Sequence, residues 1–190
     1  MSTGRMEAFS DGVIAILITI MVLELKVPDG TDWVDLQHVL PRLFTYLLSF
    51  IYLGIYWNNH HHMLQATDHV SGGVLWANLH LLFWLSLVPF TTDWMGEHHW
   101  ATVPTAVYGI TLLAAAIAYY VLQTLILRGH GPDSVLARAV GRDWKGKLSP
   151  VLYLTGIATT FANRWIGIAL YVLVALIWLV PDRRVERVMT

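Results

Sequence analysis

The sequence predicts an all-α membrane protein with six transmembrane helices per subunit, and three observations carry that prediction. Hydrophobic residues make up 56% of the 190 positions and charged residues only 13%, against roughly 25% charged in soluble domains. Six apolar stretches stand out, at residues 8–27, 42–60, 72–93, 103–128, 148–162 and 165–181, and a span needs ~20 residues. Nine Trp suit the two bilayer interfaces, where an indole ring is half wet. Residues 1–190 are read as a single transmembrane domain, with no internal repeat and no low-complexity segment.

The first stretch opens on Arg5-Met6-Glu7-Ala8-Phe9-Ser10-Asp11-Gly12, which puts a carboxylate, a hydroxyl and a glycine at the entrance to a membrane helix. Apolar residues then run from Val13 to Ile18 and, after Thr19, from Ile20 to Leu23. No basic region precedes this run and no small-residue cleavage site follows it, so it is read as a retained helix rather than a signal peptide. The third and fourth stretches are comfortably long. Pro89 and Pro104 are tolerable in membrane helices whose neighbours re-satisfy the freed carbonyls. The last two stretches are short. They fit two tilted crossings joined by a tight Asn163-Arg164 turn, or a hairpin that does not fully cross; two crossings are the expectation. Gly129–Ser134 is the most loop-like segment, and Val135–Asp143 fits a short interfacial helix.

Basic residues orient this plan. Arg5, Arg128, Arg138, Arg142, Lys145, Lys147, Arg183, Arg184 and Arg187 share one side if the chain crosses six times, and only Lys26, Arg42 and Arg164 lie on the other. Nine against three places both termini in the cytoplasm. The outer loops are acidic, with Glu24, Asp29, Asp32, Asp35, Asp93 and Glu97.

Composition also excludes. There is no Cys, hence no disulfide or thiolate site. A net charge of −1 offers nothing in favour of nucleic acid. No nucleophile elbow, phosphate loop or His-Glu-x-x-His occurs, so no enzyme is expected. His60-His61-His62 invites a metal, but neighbours on a helix point ~100° apart and cannot chelate one ion well. His98-His99 has the same defect, and no metal site is expected.

The first helix has a stripe. At ~100° per residue, with Ile16 as zero, Ile20 falls near +40°, Leu23 near −20°, Val27 near +20°, Gly12 near −40° and Thr19 near −60°, while Asp11 lies near −140°. Ile16, Ile20 and Leu23 can thus face a symmetry axis with Asp11 turned into the protein. Such a stripe is also the ordinary mark of core or lipid-facing surface, so spacing alone leaves these open. The topology brings Asn58, Asn59, His60, His61 and His62 to the cytoplasmic end of helix two. Trp76, Asn78 and His80 fall in the first turns of helix three, at the depth of Asp11. Buried polar groups require partners, and a His or Asn of helix two or three would partner Asp11; which histidine does so is open.

The pattern Arg5-x-x-x-Phe9-Ser10-Asp11 at the start of a first helix resembles the transmembrane protein 175 family of potassium channels, and the chain has the length and hydropathy of one six-helix repeat of that family. The resemblance implies a potassium-selective channel in a bacterial inner membrane, a homotetramer whose four first helices line a central pore. Permeation would be passive, with potassium as the permeant ion, the lipid bilayer and a second copy of the chain as partners, and no cofactor. Ile16, Ile20 and Leu23 match successive rings of bulky aliphatics that form a hydrophobic gate, and Thr19 matches a hydroxyl ring beside the first. Arg5, Phe9, Ser10 and Asp11 would bracket the pore helix against a polar network drawn from Asn58, His60, His61, Asn78 and His80. The Thr-Val-Gly-Tyr-Gly carbonyl filter of ordinary potassium channels is missing; Thr102–Gly109 reads Thr-Val-Pro-Thr-Ala-Val-Tyr-Gly. Selectivity would then come from pore radius, the Thr19 hydroxyl and the cost of dehydrating an ion in an apolar neck. Glu24 either gathers cations at the outer mouth or is simply solvated. Two other readings stay open: a proton-coupled secondary transporter using Asp11 and the membrane histidines, for which inverted repeats would speak and none is seen, and a membrane scaffold without transport.

Overall fold

The computed structural model describes residues 2–65, 67, 69–130 and 144–179. Seven helices are found among them: α1 (Thr3–Leu23), α2 (Trp33–Gln65), α3 (Gly72–Ser86), α4 (Val88–Glu97), α5 (Thr102–His130), α6 (Trp144–Thr160) and α7 (Arg164–Leu179). Because α3 and α4 form one bent rod, these make six rods, and no strand occurs among the described residues. The anticipated interfacial helix at Val135–Asp143, the loop residues Gly131–Ser134 and the arginines Arg138, Arg142, Arg183, Arg184 and Arg187 lie outside the described residues.

Local chemistry explains where the boundaries depart from the apolar stretches. Helix α1 stops at Leu23, and Val27, expected at the end of the stripe, lies beyond it. Val27 precedes Pro28, whose ring disfavours helical geometry in the residue before it. Helix α2 has 33 residues, about 50 Å at 1.5 Å per residue, well beyond a hydrocarbon core of ~30 Å. The expected span, 42–60, is only its apolar middle. The third rod breaks at Leu87. Pro89 has no N–H to give the Leu85 carbonyl; the Leu87 N–H turns to that carbonyl and to that of Trp84 instead. A single helix over 72–93 is thus replaced by α3 and α4. Pro104 lies in the first turn of α5, where a missing N–H costs nothing.

Four rods, α1, α2, α3–α4 and α5, are long and apolar enough to cross a membrane. Helices α6 and α7 have 17 and 16 residues, about 25 Å each, and pack as a hairpin whose turn is closed by Asn163 Oδ1 accepting from the Trp165 N–H at 3.0 Å.

Two apolar cores meet along α2 and α5. The first joins Met6, Ile14, Leu17 and Met21 of α1 to Leu53, Tyr56 and Leu64 of α2, Leu81 and Leu85 of α3, and Ala118 and Leu122 of α5. The second gathers Tyr52, Met95, Tyr108, Leu112, Tyr153, Tyr171 and Val174 from α2, α4, α5, α6 and α7. Glycine permits this second packing: a Cβ on Gly109 would fall 2.0 Å from the Tyr171 hydroxyl and one on Gly156 would fall 2.6 Å from the same ring. The rods alternate in direction. At one end the start of α1 meets the end of α2, with the Thr3 hydroxyl donating to the Thr67 carbonyl at 3.1 Å. At the other, Arg42 of α2 reaches Glu97 at the end of α4 at 2.8 Å, and Trp100 stacks edge-on against Trp165.

Candidate functional site

Helix α1 has two opposed faces. Met6, Ser10, Ile14, Leu17 and Met21 recur at three- and four-residue spacing and are buried against the bundle. The other side carries Ile16, Ile20 and Leu23, whose exposures of 57%, 39% and 78% make this the apolar face of α1 that one chain leaves uncovered. Thr19 is exposed among them. Its hydroxyl is directed back to the Ala15 and Ile16 carbonyls, at 3.0 and 2.9 Å, so its proton is spent on the helix and oxygen lone pairs remain. Phe9 and Arg5, of the same motif, are exposed as well.

Behind that face lies a polar bracket. The Asn78 amide donates to Ser10 Oγ at 2.9 Å, and its carbonyl oxygen meets His60 Nε2 at 2.7 Å. The Ser10 hydroxyl in turn donates to the Met6 carbonyl at 2.8 Å. All three side chains are buried. A buried amide must fill both its donor and its acceptor, and this chain of bonds does so while tying α1 to α3 and α3 to α2.

Asp11 does not join that chain. One residue is ~100° of helix rotation, which turns Asp11 away from Asn78 when Ser10 faces it. Its Oδ1 is buried and has no hydrogen-bond partner. It stands instead beside Glu7 and His61, with one ligand-type atom from each of the three within 4.8 Å of the others. His61 Nδ1 contacts Glu7 Oε1 at 2.6 Å, and His61 Nε2 meets Gln65 Nε2 at 2.8 Å. In place of the expected direct bond between Asp11 and a histidine or asparagine, its neighbour Ser10 accepts one from Asn78.

The rotation of α2 and α3 separates the other expected members. Asn58 is exposed. His80 is exposed too, and accepts from the Trp84 indole N–H one turn on, at 2.9 Å. Neither faces the bracket. Glu24 caps the end of α1, exposed, and with Asp93 and Glu97 edges an open cleft between α1 and α4. Glu7 was not singled out in the sequence; the signal available was its place one turn before Asp11, which puts two carboxylates on one helical face.

Residues 5–89 match the family profile described as "Endosomal/lysosomal potassium channel TMEM175". The chain is 56% identical to a potassium channel of Chryseobacterium sp. (strain P1-3), over 98% of this chain and 97% of that one. It is 33% identical to a potassium channel of Chamaesiphon minutus over 92% of each. The crystal structure described as that of a lysosomal potassium-selective channel TMEM175 homolog from Chamaesiphon minutus matches with a TM-score of 0.81 at 31% identity, covering 95% of this chain and 97% of that one. These relatives are ion channels and not enzymes. With such identity over nearly the whole length, and the Arg5–Asp11 motif at the head of α1, the chain belongs to the TMEM175 family.

Proposed function

We propose that this protein is one subunit of a homotetrameric, potassium-selective channel that conducts passively, without a cofactor, through a pore lined by four copies of α1. The uncovered face of α1 carries this reading: Ile16, Ile20 and Leu23 lie on one side, opposite a fully packed one. A single helix with one pore stripe cannot enclose a path, so several subunits must share an axis. Rings of aliphatic side chains along that axis exclude water and gate by dewetting. A ring of Thr19 oxygens beside the first constriction offers a partly dehydrated cation its only polar contact there. The stretch Thr102–Gly109 is helical, which supports a pore that does not rely on a carbonyl filter there. Both termini face the cytoplasm of a bacterial inner membrane, by the asymmetry of basic residues, and Glu24 stands at the outer mouth.

The test is paired flux from liposomes loaded with K⁺ or Na⁺. Wild type should discharge a K⁺ gradient with little Na⁺ movement. Ile16→Asn should hydrate the neck, raise total cation flux roughly tenfold, equivalent to about 1.4 kcal/mol off the barrier, and weaken discrimination. Val22→Asn is the control; Val22 is exposed but sits about 120° around α1 from Ile16. Equal effects of the two substitutions, or flux strictly tied to a proton gradient, would sink the pore assignment. Cross-linking in mild detergent should stop at four subunits.

A further inference from the structure

We propose that Glu7, Asp11 and His61 form a binding site for a divalent transition-metal ion, with Zn²⁺ the best-fitting class, that clamps α1 to α2. Neighbouring histidines of one helix cannot share an ion. Packing changes the donor set: two carboxylates one turn apart on α1 converge on a single imidazole from α2. The His61–Glu7 pair is in hydrogen-bond contact at 2.6 Å, and moving the two atoms apart to roughly 3.0–3.4 Å would let both bind one ion at about 2.0–2.2 Å. The third atom lies within 4.8 Å of both, so the Asp11 side chain would have to draw slightly inward to ligate.

A hydrogen bond between His61 and Glu7 accounts for only part of the cluster. It leaves the second carboxylate with a buried oxygen, Asp11 Oδ1, that no donor reaches. Buried polar atoms in that condition are few, and each calls for an explanation. Two carboxylates on one side of a single imidazole also make a donor set whose negative charge a divalent cation offsets. Two oxygens and one imidazole nitrogen suit Zn²⁺ or Mn²⁺ rather than the soft Cu(I), and three protein ligands leave a position for water. Gln65 supplies the outer support. With the metal on Nδ1, the proton moves to His61 Nε2, and a flipped Gln65 amide presents its oxygen to it, the usual arrangement for a ligating histidine. The side chains of His61 and Glu7 keep 33% and 24% of their exposure, so an ion has a route in.

The experiment is equilibrium binding to the full chain in detergent, carrying no histidine tag. Zn²⁺ is competed against a chromophoric chelator, and Co²⁺ is added separately to wild type for its absorption spectrum. One Zn²⁺ per chain is expected, with affinity reduced roughly tenfold or more in Glu7→Gln/His61→Gln. His98→Gln/His99→Gln should bind as wild type does. Co²⁺ should show the intensified visible bands of a four- or five-coordinate site. An aqueous Co²⁺ spectrum in the wild-type protein overturns the proposal whatever the variants do. So does undiminished Zn²⁺ affinity in Glu7→Gln/His61→Gln. Binding is read without ion flux, so its failure leaves the channel reading untouched, and a failed flux assay leaves this one untouched.

Discussion

Two buried polar clusters hold this bundle, and they are built from different chemistry. Near the start of α1, Ser10, Asn78 and His60 link α1, α3 and α2 through a side-chain amide. Deeper along α2, Ser49 meets the Thr92 hydroxyl at 2.6 Å and the Tyr108 hydroxyl at 3.0 Å, linking α2, α4 and α5. The Tyr52 hydroxyl adds α7 by donating to the Tyr171 carbonyl. An amide has a fixed donor end and a fixed acceptor end, so the first cluster has one satisfactory arrangement. Hydroxyls rotate, and each both donates and accepts, so the second tolerates change. Most polar contacts of α1 lie in its first two turns, where Thr3 reaches Thr67, Glu7 meets His61 and Ser10 meets Asn78, while its inner face beyond Ser10 is apolar. The uncovered helix is thus pinned rigidly at one end and packed by shape along its length.

The largest effect should come from breaking the rigid cluster at its centre. Asn78→Ala strands the Ser10 oxygen and His60 Nε2 together. Stranded buried groups cost ~1–3 kcal/mol each, while hydrogen bonds between membrane helices average nearer ~0.6 kcal/mol, which sets the expected loss at about 2 kcal/mol. Thermal unfolding in detergent should show a lowered midpoint and a smaller yield of assembled oligomer. An Asn78→Ala protein as stable as wild type would mean that the amide is not what fixes α1.

Much of this arrangement was legible in the sequence, and what was not shares a cause. Periodicity and hydropathy found the six rods because burial in lipid demands long apolar runs. They also set Ile16, Ile20 and Leu23 on one side of α1 and Asp11 away from it. The break at Pro89 was visible as a proline but not as two helices, since only the local hydrogen bonds decide between a kink and a stop. Partner choice was out of reach. Whether Ser10 or Asp11 meets Asn78, and whether His60 or His80 faces inward, depends on the rotation of α2 and α3 about their own axes. A rotation of about one residue, ~100°, changes every partner while leaving the hydropathy of the helix unchanged. Glu7 was missed for the same reason: its place in the site exists only once α2 has brought His61 beside it.

A smaller effect is expected at the centre of the hydroxyl cluster. Ser49→Ala removes the group shared by Thr92 and Tyr108, yet each survivor has recourse. Thr92 can turn its hydroxyl to the carbonyl one turn back on its own helix, and already lies 4.0 Å from Met21 Sδ. A loss of about 1 kcal/mol is anticipated, with assembly unchanged. A loss as large as that of Asn78→Ala would show that the hydroxyls are as rigid as the amide.

The smallest effect should follow from trimming the cluster at its edge. Tyr108→Phe keeps the ring, which is fully buried against Tyr171, and deletes only the hydroxyl bonded to Ser49. Ser49 keeps Thr92 at 2.6 Å, so no buried group is left without a partner. The cost reduces to one interhelix hydrogen bond, ~0.6 kcal/mol. A double-mutant cycle sharpens this. In the Ser49→Ala background the Tyr108 hydroxyl has already lost its bond, so Tyr108→Phe there should cost nothing, or should stabilise slightly by removing a stranded oxygen. Equal costs in both backgrounds would mean that the two hydroxyls do not interact, and the contrast between an adaptable and a rigid cluster would lose its second half.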